Sequence, residues 1–325
     1  VTDQVALAVD VGGTGIKCAL VDRSGAIRHT ERHPTGAARG PEAVVATILD
    51  VSAGLAAAAD QLGLDPVCAG VIVPAVVADG VALFSANLGL RDVPLRDLLT
   101  KRLGRPAALA HDVRAAALAE GRLGAGRDRG RLLFVALGTG IAGGFVLDGR
   151  VDDGAHGGAG EIGHIVVRTG RRARRCGCGG RGCLETYASA AAVARAYAAA
   201  STASRGDPYL HADANTGLVS APATARDVAE LVASGDPTAA AVWLEAVEAL
   251  ADGLLTGIAL YDPAVIAIGG GLAEAGELLL APVRAALVER RTFHQLPDVV
   301  RAELGEDAGV YGAALLAWDS YGDCE

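Results

Sequence analysis

The chain has 325 residues and a formal net charge of −9; half of its residues are apolar and 44 are glycine. That length suffices for two lobes with separate cores, and the acidic balance argues against the basic face by which proteins hold nucleic acid. No uninterrupted apolar run approaches the ~20 residues of a membrane span. The opening VTDQVALAVDVGG has no basic segment followed by a cleavable apolar one, so the expectation is a cytoplasmic protein with reduced thiols and no membrane partner.

In chain order, VALAVDV at 5–11 reads as a strand, GGTGIK as a tight glycine turn and CALVD at 18–22 as the returning strand. A helix near 41–62, a strand at 67–73, a loop at 74–90 and a strand at 107–110 follow. Asp112 stands just before the helical run RAAALAEGRL, where an aspartate is a natural N-cap. LLFVAL at 132–137, then GTGIAGG, then FVLDG at 145–149 repeat the opening pattern, and Gly-Thr-Gly-Ile occurs in both copies, at 13–16 and 138–141. The repeat predicts two homologous lobes, each opening with a hairpin whose glycine turn faces a shared cleft. Further on come an alanine-rich helix at 185–200, a polar loop or insertion at 201–222, a helix capped by Thr224 and running to about 234, and a long helix from about 238 to 260. DPAVIAIGGG is a strand ending in three glycines; a helix at 272–290, a strand near 298–303 and a helix at 309–319 close the chain. The alternation argues α/β with central mixed sheets.

The stretch from Glu161 to Glu185, EIGHIVVRTGRRARRCGCGGRGCLE, holds Cys176, Cys178 and Cys183 within eight residues, with His164 upstream. One imidazole and three thiolates match a closed tetrahedral zinc site in number and type, and the interleaved glycines let the backbone turn tightly enough to aim three sulfurs at one point. Glu161 and Glu185 bracket the set. A disulfide framework suits a small secreted domain rather than a chain of this length. Cys18, Cys68 and Cys324 stand alone and read as small core hydrophobes. The basic run from Arg168 to Arg175 reads as a solvated loop.

Glycine-rich turns after strands, at 12–15, 138–144 and 269–271, can set backbone N–H groups against phosphate oxygens. None matches a Walker-type loop and no dinucleotide-binding fingerprint follows a strand. Three such turns point to a nucleotide other than NAD.

DVGGTGIK, LGTGIAGG, the GEIGHI segment, CGCGGRGCLETYAS and IAIGGG together resemble the ROK family (repressors, open reading frames and sugar kinases), over nearly the whole chain and within it the bacterial glucokinase branch. The resemblance implies a two-lobed actin/hexokinase-like (ribonuclease H-like) α/β fold with central mixed sheets and a zinc-braced loop, with ATP and sugar in the cleft, Mg²⁺ and a structural Zn²⁺ as cofactors, and a homodimer or homotetramer. It puts a smaller lobe at 1–112, completed by the C-terminal helix at about 304–325, and a larger one with the zinc loop at 113–303. It implies an ATP-dependent kinase making glucose 6-phosphate, with Asp112 as general base and Asn87, His111, Asp112, Glu161, His164 and Glu185 on the sugar. Asp10 helps hold Mg²⁺ through water; Gly12, Gly13, Thr14 and Lys17 face the phosphates, Gly138, Thr139 and Gly140 form the second phosphate turn, and Gly269 and Gly270 flank the adenosine. His164, Cys176, Cys178 and Cys183 hold the zinc, and His164 offers its second nitrogen to a sugar hydroxyl.

Two positions depart from the family's pattern. His111 stands where the family has asparagine before the catalytic aspartate, and Pro74-Ala75 replaces Pro-Gly, adding a methyl where the family approaches the sugar closely. Both bear on which sugar is taken, so N-acetylglucosamine, N-acetylmannosamine and fructose stay open beside glucose, as does polyphosphate as donor. A catalytically idle sugar-binding protein is a further alternative. A sugar-sensing repressor would carry a DNA-binding segment ahead of the first glycine turn; with that turn beginning at Gly12, none is expected.

Overall fold

The computed structural model describes residues 3–204 and 224–322. The first strands are β1 (Gln4–Val11), β2 (Gly15–Asp22) and β3 (Ile27–Pro34), followed by α1 (Pro41–Gln61) and β4 (Asp65–Val73). Next come β5 (Val76–Ala78), β6 (Val81–Ser85), β7 (Leu90–Val93), α2 (Leu95–Leu103), β8 (Ala107–His111) and α3 (Asp112–Arg122). β9 (Arg131–Leu137), β10 (Ile141–Leu147) and β11 (Arg150–Val151) lead to the cysteine loop, after which α4 (Glu185–Ala188), α5 (Ala190–Ser204), α6 (Ala225–Ala233) and α7 (Pro237–Tyr261) follow. β12 (Val265–Gly269), α8 (Glu277–Arg290), β13 (Asp298–Arg301) and α9 (Ala308–Gly322) complete the chain.

Two five-stranded sheets repeat one strand order, β3-β2-β1-β4-β8 and β11-β10-β9-β12-β13. In the first, β2 runs antiparallel to both β1 and β3, and β4 and β8 are added in parallel. In the second, β12 pairs parallel with β9 and β13 parallel with β12. The two Gly-Thr-Gly-Ile turns occupy matching places, between the first and second strand of each sheet, as an internal duplication requires.

The chain forms two compact units: 1–130, 144–160 and 304–325 make the first, and 131–143 with 161–303 make the second. A boundary at 112/113 therefore does not describe the chain. α3 goes with the first unit because it packs along α9, and with 113–130 and 144–160 added the first unit is not the smaller one. α1 has the length and composition of a membrane-crossing helix, alone among the described residues. Its face of Val44, Ile48, Leu55 and Ala59 is nonetheless buried in the first unit's core with Leu95 and Leu99.

Several elements differ from the sequence reading. The stretch at 74–90 is not a loop: β5, β6 and β7 form a small antiparallel sheet, whose strands are too short, between Pro74, Gly80 and Gly89, to show a period of two. β3, IRHTERHP, alternates half-buried and exposed residues on a sheet edge, where charge is tolerated. The helix expected over 185–200 breaks at Ser189, which is extended and whose hydroxyl accepts the Ala192 N–H at 3.1 Å; an alanine run hides such a cap. The helix expected from 272 begins only at Glu277, after a 3₁₀ turn and Gly276 at φ 56°. Thr224 caps α6 in a reciprocal box with Asp227, as its sequence position suggests. Most of the stretch at 201–222, and Cys324, lie outside the described residues.

Small residues bring α9 onto the first sheet and onto α3. A Cβ at Gly312 would collide with the Ala115 carbonyl oxygen of α3. Gly312→Ala is therefore expected to destabilise the fold by about 1–3 kcal/mol through overpacking. A urea midpoint equal to that of the unaltered chain would contradict this packing.

Candidate active site

In the first unit the functional cluster lies at the ends of β1, β8 and α3. Asp10, next to last in β1, is half-buried, and its partial burial together with the Asp112 carboxylate raises its pKa from 3.8 to about 6, against a partial offset from Lys17. Its Oδ2 packs against Gly309, at the start of α9, where any Cβ would strike it. In the adjoining turn, the Gly12 N–H donates to the Gly15 carbonyl at 2.8 Å. Thr35 ties the turn down: its hydroxyl donates to Gly12 O at 2.7 Å and its N–H to Thr14 O at 3.1 Å. Thr14 is exposed, and a Cβ at Gly13 would meet nothing within 4 Å, so the outer edge of the turn is open. Lys17 donates to the Glu306 carbonyl at 3.0 Å and carboxylate at 3.1 Å.

Asp112 is the first residue of α3, and the cap is His111. The Val113 N–H lies 2.8 Å from Asp112 Oδ1 and 3.1 Å from His111 Nδ1, and that nitrogen is itself 3.1 Å from Asp112 Oδ1. The imidazole can either accept from Val113 or donate to Asp112, and the tautomer selects between them. A carboxylate here also has the positive end of the helix dipole beneath it. Asn87 is exposed on the turn between β6 and β7. Ser85 secures that turn, donating to Pro74 O at 2.7 Å and accepting the Leu88 N–H at 3.2 Å. Ala75 is 3% exposed and belongs to the unit's apolar core. Its methyl is thus not presented to a ligand, contrary to the expectation drawn from Pro74-Ala75.

The second unit's cluster is assembled around Ile141, the first residue after the second glycine turn. The Ile141 N–H donates to Glu185 Oε2 at 3.0 Å. Its carbonyl oxygen faces Gly163, where a Cβ would collide with it, so the 3₁₀ turn carrying Glu161 and His164 presses on the same residue. The Gly138 N–H donates to Gly140 O at 2.9 Å, and Gly138 O accepts from Ala190 at the start of α5 at 2.9 Å. Thr139, at the tip, is exposed.

His164, Cys176, Cys178 and Cys183 place their ligand atoms within 4.8 Å of one another. A tetrahedral zinc ion sets two sulfurs about 3.8 Å apart and a sulfur and a nitrogen about 3.6 Å apart. The Cys178 and Cys183 sulfurs are separated by 3.7 Å, and Cys176 Sγ lies 3.6 Å from His164 Nδ1. These spacings suit four ligands around one ion and are far from the ~2.05 Å of a disulfide. The Gly180 backbone, followed by the neighbouring thiols, lowers the Cys178 pKa, while burial and hydrogen bonds to Cys178 and Cys176 push Cys183 up to about 12. Ionising Cys183 beside Cys178 calls for a cation. The loop is closed by Cys176 N–H to Gly180 O at 2.9 Å and Leu184 N–H to Ile165 O at 2.9 Å. His164 directs Nδ1 at the sulfurs, while Nε2 lies 4.0 Å from Glu161 Oε2. In the basic run, Arg168 pairs with Asp252 and Arg174 with Glu245, so two of its arginines meet the chain's own acids rather than solvent.

Gly269 and Gly270 back onto the Phe134 ring and the Leu137 backbone. A cavity of about 420 Å³ begins one residue later, at Gly271. Ala225, Ala229, Leu272 and Leu278 give it apolar walls, and Arg226, Glu230 and Glu274 give it polar ones.

Sequence reasoning missed two buried charges on α3. Arg114 donates to Gly157 O at 2.6 Å, and its Nε lies 2.9 Å from Asp153 Oδ1 without the alignment of a hydrogen bond. Glu120 is fully buried and accepts from Ala125 and Leu304. The sequence shows only two charges among the alanines of an expected helix, and that they need partners follows once α3 is seen to be buried on most of its surface.

Two α/β units with repeated topology, a carboxylate pair beside an open glycine turn in one, and acids bracketing a four-ligand cluster in the other fit the actin/hexokinase-like class of fold. The ROK family model matches residues 6–320, and the chain belongs to the ROK family. It is 34% identical to the glucokinase of Thermotoga maritima over 97% of this chain and 98% of that one. It is 32% identical to an N-acetylgalactosamine kinase of Shewanella sp., over 95% of each. The ROK glucokinase of Streptomyces griseus, solved with glucose and AMPPNP, superposes with a TM-score of 0.77 at 31% identity, covering 97% of this chain and 99% of that one. These relatives support a sugar kinase.

The raised pKa of Asp10 has a stability consequence. Below about pH 3 the carboxyl is largely protonated folded and unfolded alike; as pH rises the unfolded chain releases the proton first, and above about pH 6 the full penalty, up to about 3 kcal/mol, falls on the folded state. In metal-free buffer, Asp10→Asn is expected to raise the thermal midpoint at about pH 7.5 and to raise it far less at about pH 4. A midpoint unmoved at the higher pH, or raised equally at both, would contradict the burial and repulsion described.

Proposed function

We propose that the chain transfers the γ-phosphoryl group of ATP to a hexose, with the 6-hydroxyl of glucose as the preferred acceptor. The observation that carries the reading is the pairing of Asp10 and Asp112 beside the open Gly12-Gly13-Thr14 turn, in a chain similar along its whole length to a glucokinase solved with glucose and AMPPNP.

In this reaction the Asp112 carboxylate accepts the proton of the attacking hydroxyl as its oxygen bonds to the γ-phosphorus and ADP leaves. His111 holds Asp112 in place and adds a partner for a neighbouring hydroxyl. Asn87, Glu161, His164 and Glu185 pair with the remaining hydroxyls, and buried polar pairing of this kind discriminates hydroxyl patterns strongly. The two glycine turns offer backbone N–H groups to the phosphates, and the apolar-walled cavity at Gly271 receives the nucleoside. Glu185 Oε2 is already engaged by Ile141, so the second turn and a sugar ligand are set by one hydrogen bond.

Two metal ions fit the residues present. A divalent cation relieves the repulsion between Asp10 and Asp112, and Mg²⁺ supplies charge neutralisation to the transferring phosphate. The His164, Cys176, Cys178 and Cys183 tetrahedron suits zinc, which supplies a brace rather than chemistry. With zinc, Cys178→Ser is expected to lower bound metal from about one per chain and to lower the thermal midpoint. Metal-free purified protein with an unchanged midpoint would contradict the brace.

The second reading keeps the chemistry and changes the acceptor to an N-acetylhexosamine. The N-acetylgalactosamine kinase relative favours it, and so does His111, whose shape and reach differ from those of asparagine. ADP release over a panel of glucose, fructose and the N-acetylhexosamines, with ATP and with polyphosphate, separates these readings. Glucose with ATP is expected to give the highest kcat/KM, and Asp112→Asn to lower kcat by about 10²–10⁴ while glucose still binds. No turnover with any sugar, or an active Asp112→Asn enzyme, would refute the assignment.

A further inference from the structure

We infer that Glu120 is a positioning residue that sets the first turn of α9 against Asp10, an inference that rests on the kinase reading above. α3 carries Asp112 at its first residue and Glu120 about 12 Å further along its axis. The Glu120 side chain is fully buried. One oxygen accepts the Leu304 N–H at 2.8 Å and the other the Ala125 N–H at 2.9 Å.

Leu304 is the residue at which the chain re-enters the first unit. Two residues later Glu306 takes the Lys17 ammonium on both its carbonyl and its carboxylate. Five residues later Gly309 lies against Asp10 Oδ2. A second point of control is the close approach of Gly312 to the Ala115 carbonyl. The start of α9 is thus located on α3 at two places, one polar and one steric, and α3 is the helix that presents Asp112.

Packing alone does not account for a carboxylate at 120. Burying an ionisable group is costly unless its hydrogen bonds are met, and an apolar side chain would fill the same space without that cost. What a carboxylate adds is direction: two acceptors at fixed angles hold the Leu304 N–H, and with it the register of the segment bearing Glu306 and Gly309. Its loss lets that segment shift, moving Gly309 and Lys17 relative to Asp10 while leaving the α3 start, with His111 and Asp112, in place.

The test uses the full chain with Glu120→Gln, which keeps shape and one acceptor, and Leu304→Pro, which deletes the donor at a residue whose φ of −82° is close to that of proline. Turnover, the Mg²⁺ concentration for half-maximal rate, glucose binding by calorimetry and the thermal midpoint are measured for each. Both variants are expected to lower kcat about tenfold or more and to raise the Mg²⁺ requirement, with the glucose dissociation constant within about twofold of the original. Should Leu304→Pro fail to fold, Glu120→Gln decides alone. A folded Glu120→Gln enzyme with unchanged kcat and Mg²⁺ requirement, or one whose glucose affinity falls in step with kcat, would overturn the inference. An unaltered chain without turnover would instead refute the kinase reading.

Discussion

The first unit depends on a carboxylate placed where ionisation is difficult. Asp10 is half-buried, has Asp112 as a like-charged neighbour and is pressed by the backbone of Gly309. Lys17 offsets part of the cost, yet its ammonium is already held by Glu306. The fold keeps such a pair only because β1, α3 and α9 overdetermine it: β1 pairs along both edges, and α9 packs on α3 and on the sheet. The charge of the two acids is thus only partly offset within the chain, an arrangement that would suit a bound cation.

The second unit solves a different problem, how to hold acids on loops without losing their geometry. Glu161 and Glu185 are more than twenty residues apart in sequence, and neither lies within a long helix. Ile141 joins them, its N–H held by Glu185 and its carbonyl covered by the turn after Glu161. The cysteine loop then ties the two segments together through His164 and the three sulfurs. A metal held by these four ligands would stiffen a short, glycine-rich connection. The two ring nitrogens of His164 face different groups, Nδ1 the sulfurs and Nε2 Glu161.

Much of this was legible in the sequence, for identifiable reasons. The long strands and helices are strongly patterned, and the duplicated Gly-Thr-Gly-Ile foretold a strand order used twice. The four-ligand cluster was legible because its spacing has no packing purpose. Other features depend on parts of the chain far apart in sequence and left weaker marks. The β5–β7 sheet consists of strands too short to show periodicity. Ala75 looked like an obstacle to a ligand until the fold turned its methyl into the core. The cavity at Gly271 needs α6 as a second wall, which no local pattern reveals. Glu120 and Arg114 acquire meaning only once α3 is seen to be buried on most of its surface.

The proposed reaction carries a phosphoryl group from ATP to a hexose hydroxyl. A single-turnover reaction with γ-labelled ATP, glucose and Mg²⁺, with enzyme in excess over nucleotide, tests it most directly. Label is expected to pass from ATP to the 6-hydroxyl of glucose, with no transfer when Mg²⁺ is removed. Label that stays in ATP, or that appears only as inorganic phosphate, would contradict it.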